Sequence, residues 1–287
     1  MEIILGDNPF FGVNHRAGSK PLESENVRFG QAATVIQRAV EEGIDTIMLS
    51  AHPGYERLLA KAGAAIATTG KTLKVALVVP YPHSLNSLVA ERGYAGLLQV
   101  VGPLGMLNSA VDLLRSLFPG RDEALNPAFR SLIRMELDRI GVGNVRVVHA
   151  CLHNVVTDIL LAAGRVDVLR GFVNACHRME LSPVLISQNP VRLLSSQVGK
   201  NYTACFSFNP LGYMVNPSLA ETEQYLRQAR SSLPKGLWAM QIMASGACSL
   251  DSLLNFDSLR IFDALLYATS RPERIAPFAA AVKTHFG

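Results

Sequence analysis

The sequence predicts a single α/β domain, a (β/α)8 or TIM barrel, and three observations predict it. Short apolar runs of strand length alternate with amphipathic helical stretches across residues 1–287, the pattern of a parallel sheet with helical crossovers. Eight such units can be counted without a break in composition, and no Gly-x-Gly-x-x-Gly follows the first strand, so closure is favoured over an open dinucleotide-binding sheet. The chain is 49% hydrophobic and 17% charged, which provides for a sizeable buried core.

The first strand covers residues 1–7 and meets the turn signal Gly6-Asp7-Asn8-Pro9. Residues 9–25 are rich in Gly, Asn and Ser and read as loop. Ala32, Val35, Ile36, Ala39 and Val40 fall at helical spacing in 31–42, and Gly43 stops that helix. Strand 2 is 45–50, the next helix 55–67, and strand 3 is 73–79, stopped by Pro80 and Pro82. Residues 82–144 are longer than any crossover needs, hold helices near 108–118 and 128–140, and form an elaborated helical loop, a candidate insertion or lid. Strand 4 at 145–152 leads into a helix at 155–180 with a break expected at Gly164. Strands 5 and 6 are 183–187 and 202–208, with a helix at 218–231. Strand 7 at 237–243, a short helix at 249–255 and strand 8 at 262–267 precede the last helix.

Net charge is +4, from 27 basic and 23 acidic residues, with no Lys/Arg run that would track nucleic acid. The balance suits a small anionic substrate. No apolar stretch is long enough for a membrane span, and Met1 to Gly6 lack a signal-peptide pattern. Cys151, Cys176, Cys205 and Cys248 are scattered and read as buried free thiols. The expectation is a cytoplasmic protein with a small-molecule partner, without nucleic acid or membrane, whose oligomeric state the sequence leaves open.

In such a barrel the site is built from polar residues at the C-terminal ends of the strands. Those are Asp7 and Asn8, with Asn14 and His15 in the loop beyond; His52 and Tyr55; His83; His153 and Asn154; Ser187, Gln188 and Asn189; Ser207 and Asn209. His153 is the foremost catalytic candidate, as an acid/base or a polariser of a carbonyl. His149, four residues earlier, points the same way into the deep lumen and reads as structural. His52 and Tyr55 flank Pro53-Gly54, a turn that aims both rings at one pocket, and Asp7 adds a carboxylate. Asn8, His15, Asn154 and Asn209 are candidates for substrate binding. The turns at Ser245-Gly246 and Thr269-Ser270 would lie side by side after strands 7 and 8. Backbone amides and helix N-termini there suit an anion. No H-x-H or H-E-x-x-H spacing occurs, and no metal site is assigned.

The segments Leu5-Gly6-Asp7-Asn8-Pro9-Phe10-Phe11-Gly12, Gly43-Ile44-Asp45, His52-Pro53-Gly54-Tyr55-Glu56, Leu152-His153-Asn154, Ser187-Gln188-Asn189 and Arg271-Pro272-Glu273-Arg274-Ile275 resemble, in order, the motifs of a divergent aldo-keto reductase. The resemblance implies an oxidoreductase using NADP or NAD on a small carbonyl or hydroxy compound. It makes Tyr55 the proton donor and His153 the family histidine. It has Ser187 and Asn189 hold the nicotinamide carboxamide, and Ser245, Gly246, Thr269, Ser270 and Arg274 hold the cofactor phosphates. The family's Asp at the end of strand 2 and Lys at the end of strand 3 have no counterpart in Met48-Leu49-Ser50 or Val78-Val79-Pro80. Two readings therefore stand beside the reductase. One is a non-redox lyase, isomerase or aldolase on a phosphorylated or carboxylated molecule, using Asp7, His52 and His153 for proton transfer. The other is a non-catalytic ligand-binding barrel.

Overall fold

A computed structural model describes residues 1–12, 24–80, 126–141, 143–229 and 233–287, with backbone only at 126–128. Strands β1 (Glu2–Gly6), β2 (Thr46–Ser50), β3 (Leu73–Val79), β4 (Val145–Leu152), β5 (Ser182–Ser187), β6 (Thr203–Ser207), β7 (Gly236–Met240) and β8 (Ala264–Tyr267) are all parallel. They pair in chain order, and β8 closes on β1 through Glu2↔Ala264 to Leu5↔Tyr267. The predicted barrel is the observed one.

Around it lie α1 (Glu25–Glu41), α2 (Tyr55–Ile66), α3 (Asn126–Leu137), α4 (Asn154–Ala162), α5 (Val166–Arg178), α6 (Pro190–Leu194), α7 (Leu219–Gln228), α8 (Leu250–Leu254) and α9 (Ile275–Phe286). Helix α1 starts six residues before the apolar periodicity, because its first turn is polar and contributes no core residue before Phe29. Gly164, with φ 69°, separates α4 from α5. Strand β7 stops at Met240 because Gln241 turns to φ 56°. In the segment 82–144, the described part forms the crossover helix α3, which packs its Phe129 edge-on against Phe172 of α5 at 5.3 Å. The helix expected near 108–118 lies outside the described residues.

The core has two parts. Ile4, Met48, Ala76, Val78, Cys151, Val184, Ile186, Cys205, Trp238, Ala264 and Leu266 fill the lumen. A larger shell, including Ile36, Leu58, Phe172 and Phe206, packs the helices on the outer face of the sheet. Strands covered on both faces read as continuous apolar runs, as Ile47-Met48-Leu49 and Val75-Ala76-Leu77-Val78-Val79 do. All four cysteines are buried and free. In β4 the register against β3 jumps from Val75↔Val147 to Ala76↔His149. That bulge at Val148 puts Cys151 opposite the lumen residue Val78 and turns His149 inward with it. No helix among the described residues is long and apolar enough to cross a membrane.

Candidate active site

The C-terminal rim of the barrel is built first around Asp7, one residue past β1. Its Oδ2 accepts a hydrogen bond from the Ser50 amide at the end of β2, at 2.7 Å. The side chain is buried, with 5% exposure. Burial pushes the carboxyl pKa up to about 7, against the pull of hydrogen bonds from the Ser50 amide, its own amide and the Ser50 hydroxyl. A carboxyl that titrates near neutrality can both take and give a proton at working pH. Asn8 opens the 3-10 turn Asn8–Phe11 that follows. The Phe11 ring stacks on His52, centroids 4.3 Å apart and 14° from parallel, and so fixes the imidazole just beyond β2.

His153 continues the rim on β4. Its amide donates to the Val79 carbonyl at 3.0 Å, and the Ala51 amide to that of Val78 at 3.2 Å, so the ends of β2, β3 and β4 are tied together. The imidazole caps α4: Nδ1 accepts from the Val155 amide at 3.2 Å. That bond requires Nδ1 to be unprotonated, so the ring carries its proton on Nε2, which can donate. Asn154 is the first residue of α4. Asp7, His52 and His153 thus share one rim, from β1 to β4.

Other expected residues are placed elsewhere. Tyr55 does not join His52: it is fully buried at the start of α2, and its Oη lies 2.8 Å from the carbonyl and 2.9 Å from Oε2 of Glu136 on α3. Burial, and then the Glu136 carboxylate, raise its pKa above the ordinary tyrosine range. Lys74 pairs with Asp45 at 2.9 Å at the opposite end of the barrel. Ser187 is fully buried; its Oγ donates to Asp158 Oδ1 at 2.5 Å and accepts from the Asn189 amide at 2.9 Å. The Gln188 amide donates to the other oxygen of Asp158 at 2.9 Å. Asn189 Oδ1 caps α6 through the Arg192 amide. Asn209 folds its own turn, with Oδ1 accepting from the Leu211 and Tyr213 amides and Nδ2 donating to the Tyr213 carbonyl. Asp158 was not anticipated, for no local pattern links a helix carboxylate to a serine 29 positions later. Asp158→Ala leaves the buried Ser187 hydroxyl and the Gln188 amide without their acceptor. It is expected to cost about 1–3 kcal/mol in urea denaturation.

The corners after β7 and β8 are dissimilar. Ala244, Ser245 and Gly246 take φ of 46°, 55° and 84° in a left-handed turn. The Gly246 and Cys248 amides donate back to the Met243 carbonyl, so the amide of Gly246 is engaged inside the turn and not aimed at a ligand. Three successive residues at positive φ, two of them not glycine, mark a backbone held by its surroundings. At the β8 corner, Thr269 is buried and its Oγ1 accepts from the Arg271 amide at 3.1 Å. Ser270, Arg271 and Arg274 are exposed beside it. The positive charge of Arg274 reaches the Tyr267 phenol, whose pKa burial nonetheless raises. His15, Asn14 and His83 lie outside the described residues. Among the described residues no group of three His, Cys, Asp or Glu is placed to hold a metal ion.

No family model matches the chain, and no curated protein matches it. Solved structures do. MGS-M4, an aldo-keto reductase from a Medee basin deep-sea metagenome library, is 10% identical with a TM-score of 0.51, covering 99% of this chain and 89% of its own. PA4992 of Pseudomonas aeruginosa, assigned as an aldo-keto reductase, is 13% identical with a TM-score of 0.56, covering 99% and 90%. A protein assigned as 2,5-diketo-D-gluconic acid reductase B is 12% identical with a TM-score of 0.50, covering 99% and 86%. At such identities the likeness is one of fold, and function must be argued from the site. The chain is a closed (β/α)8 barrel, and its fold is similar to that of these solved structures.

Proposed function

We propose that this barrel is an enzyme that moves a proton at the carbon beside a carbonyl of a small anionic molecule, as a non-redox isomerase or lyase. The observation that carries the reading is Asp7, a buried rim carboxyl with a pKa of about 7. The substrate carbonyl oxygen accepts a hydrogen bond from His153 Nε2–H. Ionised Asp7 takes the proton from the adjacent carbon, and the electron pair of that C–H bond moves toward the carbonyl as an enolate. Protonated Asp7 then returns the proton to the neighbouring atom, or the enolate expels a leaving group. A neutral imidazole that donates beside a carboxylate that accepts is an established division of labour for this chemistry. Arg271, Arg274, Thr269 and Ser270 at the β8 corner supply charge and donors for a phosphate or carboxylate on the substrate. The stack with Phe11 makes the His52 ring a wall of the same rim.

The fold type implies a nicotinamide cofactor, and the residues expected to grip its ring do not fit it. The Ser187 hydroxyl proton goes to Asp158 and its oxygen accepts from the Asn189 amide within a fully buried site, and the Asn189 side-chain oxygen caps α6. Tyr55, the proton donor the resemblance implies, is buried against Glu136 and not at the rim. The NAD(P)H-dependent reductase remains the second reading, supported by the barrel type it shares with MGS-M4 and PA4992.

Two measurements separate the readings. A ligand that binds the native state raises the unfolding temperature by mass action, by about 2.7 kcal/mol of stability at 100 times its Kd. Inorganic phosphate or sugar phosphates are expected to raise it, and NADPH no more than its phosphates alone would. A panel of phosphorylated and carboxylated carbonyl compounds incubated in D2O is expected to yield one that gains deuterium beside its carbonyl, with the exchange lost in Asp7→Asn. A large NADPH shift with carbonyl-dependent NADPH oxidation would establish the reductase instead.

A further inference from the structure

The floor of the barrel departs from the usual layers of branched side chains. Below Trp238 the lumen face carries His149 of β4, Thr203 of β6 and Gly236 of β7, two polar side chains and none. Gly236 has no room for more, since an added Cβ would lie 2.8 Å from Thr203 Oγ1. The result is a cavity of about 240 Å³ at the N-terminal end, walled by the starts of β5, β6 and β7 and bordered by Lys235 and Asn201. It opens to solvent and has room for several waters or one small anion.

We infer that this cavity is a second binding site, for a small oxyanion such as a phosphate or a carboxylate, formed by Lys235, Asn201, Ser182 and Thr203 against the His149 wall. The cation at the opening and the donors of the lining suit an anion. Lys235 is an exposed cation at the opening. The one carboxylate of the lining is Asp263, whose Oδ2 already accepts from the Leu237 amide at 2.8 Å. The side chains of Ser182, Thr203 and Asn201 can all donate. Burial and the positive field of Lys74 hold the His149 imidazole neutral, pushing its pKa down to about 4, although Asp45 stands 2.9 Å from that lysine. The lining therefore holds one cation, Lys235, one carboxylate tied to the Leu237 amide, and a set of neutral donors. His149 Nδ1 is also buried with no hydrogen-bond partner among the described residues, an open polar valence in the cavity wall. The β4 bulge that turns this ring inward is the kind of irregularity that re-aims a side chain beside a site.

Trp238 is the chain's single tryptophan, and its ring stands edge-on to His149 at 4.9 Å, so its emission reports on the cavity. Titration with inorganic phosphate, and separately with succinate, against sodium chloride at matched ionic strength is expected to give a saturable change with at least one oxyanion and none with chloride. Lys235→Ala is expected to weaken that midpoint about tenfold, the loss of one charged hydrogen bond. Asp7→Asn and Arg274→Ala, at the far rim, are expected to leave it unchanged. Flat emission with both oxyanions, an equal response to chloride, an unaltered midpoint in Lys235→Ala, or loss of the response in Arg274→Ala would each overturn the site.

Discussion

Asp7→Asn is expected to lower turnover by at least about 100-fold, the lower range for a lost general acid/base, and to remove a slope from the pH dependence of stability. The amide oxygen of Asn can still accept from the Ser50 amide, so the end of β1 keeps its tie to β2. What disappears is a proton. In the native chain the Asp7 carboxyl holds its proton up to about pH 7, whereas unfolded it ionises near 3.8. Between those values the native state binds more protons than the unfolded one, so this group makes stability fall as pH rises. At 1.36 kcal/mol per pH unit of difference, tapering as the native carboxyl itself titrates, the loss between about pH 5 and pH 7 is roughly 2 kcal/mol. His149 acts in the opposite sense. Its native pKa of about 4 lies below the ordinary 6.5, so the unfolded state binds the extra proton and stability rises with pH across that window. The parent curve alone therefore mixes two opposed slopes, and the comparison that isolates Asp7 is parent minus Asp7→Asn, by urea denaturation at each pH. A difference that stays constant from pH 5 to pH 8 would mean that Asp7 is ionised throughout, and the proton-transfer role would fall with it.

The barrel was legible because its signals are local. Apolar runs such as Val75 to Val79, helix periodicity in α1 and glycine stops at Gly43 and Gly70 each act within a few residues. Turn chemistry was legible too. Asn189 and Asn209 stand before Pro190 and Pro210, and both spend their side chains on turn and cap geometry. What could not be read depends on partners far along the chain. The pKa of Asp7 comes from burial under neighbouring elements, and the engagement of Ser187 from a carboxylate 29 positions earlier. The corner after β7 looked like an anion cradle from its small residues. Only the dihedrals of Ala244 to Gly246 reveal that the Gly246 amide closes the turn on itself.

Tyr55 is the largest such displacement, and its substitution gives the second strong prediction. Tyr55→Phe is expected to keep turnover close to the parent and to cost about 1–3 kcal/mol of stability, while Tyr55→Ala costs about 3–5 kcal/mol. The direction of the ring is decided at Gly54, whose φ of 85° turns the chain into α2; a Cβ there would sit 2.7 Å from the Arg57 guanidinium. The phenol consequently leaves the rim and enters the α2–α3 contact, 81 positions from its partner Glu136 in sequence. There it donates to a carboxylate that is itself half of a pair with Arg139 at 3.3 Å, whose guanidinium lies 5.3 Å from the Tyr55 ring centre. Removing the hydroxyl leaves the buried Glu136 with Arg139 alone. Removing the ring also opens a cavity in the shell and withdraws the face on which Arg139 rests. A phenol held above its ordinary pKa and enclosed on all sides gives no proton to a substrate at neutral pH. A proton donor of the reductase kind would behave in reverse, losing about 100-fold or more in turnover on Tyr55→Phe with little change in stability. A double-mutant cycle with Glu136→Gln distinguishes the two cases. Coupling in stability with none in turnover assigns Tyr55 to the wall of the barrel, and coupling in turnover would return it to the chemistry.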